Sequence, residues 1–138
     1  MYTCTTSPRH VAVAVDKFRY MLQYSTIVGG ALAMTRDQMI TVNGFSNKFY
    51  GWGGEDDDMY NRIRAKHYNV ARYPETIGRY TMLQHWGDSG NPPNPTGAVG
   101  LEMRPEEYEV DGLNSLTHEV TKQQFKELYT LVQVKIKQ

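Results

Sequence analysis

Glycines at positions 51, 53 and 54 run directly into four consecutive carboxylates, Glu55 to Asp58, and no other stretch restricts the fold as much. Glycines before a helix let the backbone approach a ligand closely. Glu55 to His67 fits such a helix. Acidic residues fill its first turn, and Arg62, Arg64, Lys66 and His67 fill its end, the polarity that complements a helix dipole. Met59 and Ile63 stand four apart and supply a narrow apolar stripe. Trp52, set between glycines, offers a flat face of the kind that stacks on sugars. Four adjacent carboxylates exceed what a helix start needs. Crowded like charges repel, and the crowding can raise one pKa enough for that group to act as a base. Charge alone leaves a second reading open, a solvated helix start behind a glycine-rich turn.

The rest of the chain sets the frame around this junction. Its 138 residues are the size of one ordinary domain. Fifteen Lys and Arg balance fifteen Asp and Glu. Zero net charge argues against a basic nucleic-acid binder or a polybasic membrane-surface protein. Apolar residues at 40% and charged residues at 22% suit a globular chain rather than a disordered one. No apolar run approaches the roughly 18 residues of a membrane helix, and no signal-peptide pattern opens the sequence.

His10 to Val15 (HVAVAV) predicts a buried strand. Thr35 to Gln38 has the form of a capping box, and the short helix it opens stops at Gly44. Gly44 to Gly54 is loop. Asp88 to Gly100, with three Pro and three Gly, predicts a long irregular segment of the kind that forms lids. Pro105 opens a short helix. Leu116 to Val120 and Val132 to Ile136 alternate like half-buried strands of a hairpin. Strands mixed with helices give α/β or α+β.

Two weaker constellations remain. Met82 and His85 stand three apart, with His67 and His118 elsewhere. They fit either a sparse metal site, which would need further ligands such as carboxylates, or a core Met beside a surface His. Tyr24 to Gly30 (YSTIVGG) ends in paired glycines, which mark a strand end facing a ligand or, more simply, a tight turn. Cys4 is the sole cysteine, so it excludes an internal disulfide framework and leaves two states open, a buried thiol or half of a disulfide whose partner lies outside this chain.

GWGGEDDD (51–58), NGFSN (43–47), VGG (28–30), the Met82–His85 pair and DGLNSL (111–116) together resemble the β-1,4-galactosyltransferase family, in the family's order and across essentially the whole chain. The family is inverting and includes invertebrate N-acetylgalactosaminyltransferases. The resemblance implies an α/β domain of the GT-A type. Residues 1–138 are expected to be its C-terminal part, without the nucleotide-binding half that carries a D-x-D motif. It further implies Golgi-lumen residence through a type II membrane anchor absent from this sequence, and a disulfide partner for Cys4 outside it.

The resemblance also implies roles. Asp56 matches the base that takes the acceptor hydroxyl's proton, Glu55 a donor-sugar ligand and Asp57 an acceptor ligand. Trp52 matches a mobile tryptophan between Gly51 and the Gly53–Gly54 pair. Met82 and His85 match Mn²⁺ ligands. Phe18, Tyr24 and Gly30 match residues lining the nucleotide-sugar and acceptor pocket, and 88–103 covers much of the closing loop. Ile27 stands where galactosyltransferases place a tyrosine beside C2 of the donor sugar, which favours UDP-GalNAc over UDP-Gal. Gly97 and Ala98 replace an Arg and a Phe of the acceptor's N-acetyl pocket, whereas Leu101 keeps its aliphatic member. The expected partners are a UDP-sugar and a GlcNAc-terminated glycan, with no nucleic acid. The competing reading is an inactive family member that binds glycan or a partner protein.

Overall fold

A computed structural model describes residues 3, 5–84, 87, 89–90, 92–93 and 104–136. The chain is α/β. It runs β1 (Arg9–His10), β2 (Ala14–Val15), a 3-10 turn (Asp16–Phe18), β3 (Leu32–Ala33), α1 (Arg36–Thr41) and α2 (Glu55–Ala65). Then come β4 (Ala71–Arg72), β5 (Arg79–Tyr80), α3 (Pro105–Tyr108), β6 (His118–Phe125) and β7 (Thr130–Ile136). β1 lies between antiparallel β3 and parallel β4, while β2 pairs in parallel with β5.

The HVAVAV run is therefore two short strands rather than one. β1 is bonded to β3 and β4, and Val11 N–H donates to Ala31 O; three residues on, Ala14 N–H donates to Gly78 O and the chain has changed neighbours. Val11, Val13 and Ala14 stay buried through the change, so the apolar pattern records burial and not an unbroken ladder.

The capping box at α1 is present in full. Gln38 N–H donates to Thr35 Oγ1 at 3.1 Å, and Thr35 N–H donates to Gln38 Oε1 at 2.9 Å. Gln38 also donates to Thr5 O, tying α1 to the start of the chain. α2 ends at Ala65, two residues before the expected stop, because His67 takes a left-handed conformation (φ 60°). Its stripe behaves as expected: Met59 and Ile63 are fully buried with Val28 and Val42 in the core, ringed by Leu32, Met34, Met39, Tyr60, Tyr68 and Val70.

A polar clamp backs this core. Arg62 is wholly buried. Its Nε donates to Asp58 Oδ2 at 2.6 Å, Nη1 to Asp111 O at 2.7 Å and Nη2 to Asp111 Oδ2 at 3.2 Å. Asp111 also accepts from Ser46 Oγ (2.5 Å) and Asn47 N–H (3.0 Å). Asn43 Nδ2 donates to Tyr108 O and Asn114 Oδ1, and Asn47 Nδ2 to Gly112 O. The NGFSN and DGLNSL motifs thus grip each other, and through Arg62 they grip α2.

β6 and β7 form the expected hairpin, with a bulge after Val120. The strands are not half-buried: all of their residues but Gln124 are exposed, including Val120, Val132, Val134 and Ile136. The described residues offer no second layer to cover this apolar face. No helix among them is long and apolar enough to cross a membrane.

Candidate functional site

One cleft of about 630 Å³ gathers most of the predicted residues. Phe18, Tyr24, Ile27, Gly30, Trp52, Gly53, Gly54, Glu55, Asp56, Asp57 and Met82 all line it. His85 and Leu101 lie outside the described residues, as do Cys4, Gly97 and Ala98.

The N-terminus of α2 supplies the carboxylates. Gly54 precedes it at φ 93° and Gly53 at φ 113°, a left-handed pair that glycine adopts without strain. No side chain caps the helix from Gly54; instead Glu55 Oε2 accepts from Gly53 N–H at 3.0 Å, two residues before the helix proper. Trp52 is 68% exposed, and its backbone N–H donates to Pro92 O at 3.0 Å. Its loop is thereby tied to the predicted 88–100 segment, most of which lies outside the described residues.

Tyr24 to Gly30 forms the facing structure. It begins with a turn closed by Ile27 N–H to Tyr24 O, which stands ahead of the paired glycines and not at them; Gly29 and Gly30 themselves line the cleft. Tyr24 Oη donates to Asp57 Oδ1 at 3.1 Å. Burial, then the charge and hydrogen bond of Asp57, push the Tyr24 phenol up to about 12, so it stays a donor at neutral pH. Asp56 is raised above the ordinary carboxylate range, first by burial and then by the charges of Glu55 and Asp57. A half-buried carboxylate with raised basicity beside an open cleft is suited to accept a proton from a bound hydroxyl.

Sequence reading missed His10 and Arg72 here, and of the paired glycines it gave a separate role to Gly30 alone. Gly29 lies against Asp56, and a Cβ there would stand 2.4 Å from Asp56 Oδ2. His10 and Arg72 reach the same segment from β1 and β4. The one signal for them was a histidine heading an apolar run and an arginine inside VAR.

Met82 is the described part of the expected metal pair. It lines the cleft, and its N–H donates to Asp16 Oδ1 at 3.0 Å. Among the described residues no group of three His, Cys, Asp or Glu could hold an ion. A thioether at the cleft with no closed ligand set around it fits an ion held jointly with groups outside those residues, and not one held by them alone.

The family model described as the N-terminal domain of galactosyltransferase matches residues 9–86, more than half of the chain. Bovine (Bos taurus) β-1,4-galactosyltransferase 3 is 43% identical over 131 residues, which are 94% of this chain and 33% of the relative. Human β-1,4-galactosyltransferase 1 is 42% identical over 135 residues, 98% of this chain and 34% of the relative. The chain thus spans about a third of the length of the curated relatives it matches.

In three dimensions it resembles the catalytic domain of Drosophila β-1,4-galactosyltransferase 7 in complex with xylobiose. The TM-score is 0.62 at 21% identity, covering 99% of this chain and 60% of that one. A mutant of the same enzyme with manganese, UDP-Gal and xylobiose gives a TM-score of 0.63 at 20% identity, with the same coverage. These likenesses establish the fold, that of GT-A-type galactosyltransferase catalytic domains. With a family model matching over most of its first 86 residues, and with its motifs assembled around one cleft, the chain belongs to the β-1,4-galactosyltransferase family.

Proposed function

We propose that residues 1–138 are the C-terminal part of an inverting glycosyltransferase domain, working in the Golgi lumen. The domain transfers a hexosyl group from a UDP-sugar to a GlcNAc-terminated glycan in β-1,4 linkage, with Mn²⁺ as cofactor. The observation that carries this reading is the meeting of the acidic start of α2 with Trp52 and the 24–30 segment around one cleft. In this reading Asp56 takes the proton of the acceptor hydroxyl as its oxygen bonds to the anomeric carbon. The bond from that carbon to UDP breaks on the opposite face, so the configuration inverts. Asp57, steadied by the Tyr24 phenol, holds the acceptor; Glu55 holds the donor sugar; Trp52 closes over both. Met82 and His85 would hold Mn²⁺ together with oxygen ligands from a D-x-D half outside this sequence. When bound, the ion neutralises charge on the diphosphate leaving group.

The donor is read from Ile27. A branched aliphatic in the cleft wall leaves room beside C2 of the sugar and offers no phenolic hydroxyl. UDP-GalNAc is therefore the preferred donor, with UDP-Gal second. The test is transfer with Mn²⁺ and a GlcNAc acceptor, using both donors and the domain extended to the length of its relatives. Asp56→Asn should lower kcat by about 10² or more, the usual size of a general-base contribution. Ile27→Tyr should shift preference towards UDP-Gal. An active Asp56→Asn refutes the base, and an unchanged donor ratio refutes the role of Ile27. Glycan binding without any transfer would establish the inactive reading instead.

A further inference from the structure

His10 is fully buried at the end of β1, and its Nε2 lies 2.9 Å from Gly29 O. A carbonyl only accepts, so Nε2 carries the proton and Nδ1 the lone pair. Arg72 uses that lone pair: its Nε donates to His10 Nδ1 at 3.3 Å, from the position directly opposite His10 in the parallel β1–β4 register. Arg72 Nη2 then donates to Ser25 O at 2.9 Å and to Ile27 O at 2.8 Å. Carbonyls 25, 27 and 29, alternate groups along one stretch of chain, are all held by one His–Arg pair. Between them Val28 is buried in the core. At the end of the stretch the bare Cα of Gly29 faces Asp56, where any Cβ would collide with Oδ2.

We infer that His10 and Arg72 are positioning residues for the transfer reaction: they fix the 25–29 segment so that Gly29 seats the Asp56 carboxylate and Ile27 keeps its place in the cleft wall. Neither need touch a sugar. This inference rests on Asp56 being the base. Its geometry is independent of any donor or metal, so it can be tested without either, in the domain extended to the length of its relatives.

The experiment is a carboxyl-carbon NMR titration of Asp56. The titratable groups that share its cleft are Glu55, Asp57, Tyr24, Lys17 and His10, and the same spectra follow Glu55 and Asp57 as controls. The variants are His10→Gln, which keeps a donor for Gly29 O, His10→Leu, which keeps volume without one, Arg72→Lys and Arg72→Met. If the segment is part of the wall that desolvates Asp56, releasing it lets water in. The Asp56 midpoint then falls by about 0.5 pH unit or more in His10→Leu and Arg72→Met. His10→Gln should stay within about 0.2 unit of the wild type, by the same measure.

A purely structural role would lower thermal stability yet leave the midpoint of the folded variants in place, and that result overturns the inference. So does an equal fall in His10→Gln. Should His10→Gln and Arg72→Lys also fail to fold, the pair serves the fold as a whole and positioning is again refuted. Midpoints that move as expected in an extended domain that transfers nothing would sink the proposed function and leave the positioning of Asp56 standing.

Discussion

Arg62→Met tests the clamp that ties α2 to the rest of the domain. The guanidinium serves two carboxylates and a carbonyl from a fully buried position. Methionine replaces much of the stem, so the packing loss is small. The polar loss is not. Asp111 keeps Ser46 and Asn47, but among the described residues Asp58 Oδ1 has no hydrogen-bond partner, and removing Arg62 takes away the bond to Oδ2 as well. Orphaning one member of a buried ion pair costs about 3–5 kcal/mol, and the better-supported Asp111 places this case near the middle, about 4 kcal/mol. Against a usual domain stability of about 5–15 kcal/mol that is severe. At a urea m-value of about 2 kcal/mol/M the unfolding midpoint drops by about 2 M. Adding Asp58→Leu should return about 1 kcal/mol or more, since a hydrocarbon there needs no partner. A single variant within about 1 kcal/mol of wild type, or a double variant that is strictly additive, would show that the clamp is worth no more than a surface pair.

Other outcomes follow from neighbouring geometry. Gly112→Ala should destabilise the chain by about 2–3 kcal/mol, because its Cβ would meet Asn43 O at 1.9 Å in a backbone conformation of φ 151°; an unchanged melting temperature refutes the contact. Thr35→Ala should cost about 1 kcal/mol by removing the side-chain half of the capping box, read from urea unfolding. His10 is pushed below its usual pKa by burial and then by Arg72, against the raising effect of its bond to Gly29. The folded state therefore holds His10 neutral while the unfolded chain takes up its proton. Stability is full above about pH 6.5 and falls by up to about 1.4 kcal/mol per pH unit below it. Unfolding at pH 7.5 and 5.5 should show this slope, and His10→Gln should abolish it.

How far the sequence was legible follows from how far away each residue's partner lies. The α1 capping box joins positions 35 and 38, and the α2 stripe joins 59 and 63, so both could be read locally. The carboxylate cluster was legible for the same reason, since the groups that raise Asp56 after burial are its sequence neighbours. Arg62 was read as one of four basic residues ending a helix. Its distinction from Arg64 is a partner 49 positions away, against a carbonyl four positions away for Arg64. Arg72 meets His10 across 62 positions, and nothing in VAR or HVA announces it. NGFSN and DGLNSL were visible as family signatures with no stated task, because the task is mutual: Asn43 and Asn47 have meaning only beside Asn114 and Gly112. The hairpin fails in the other direction. Its alternation describes a face prepared for burial, and whether that face is buried depends on what stands opposite, which a strand's own residues do not encode. The chemistry of the cleft was therefore readable from short motifs, while the residues that hold those motifs in register were not. It is the second group, Arg62, Arg72 and His10, whose substitution separates a family signature from a working geometry.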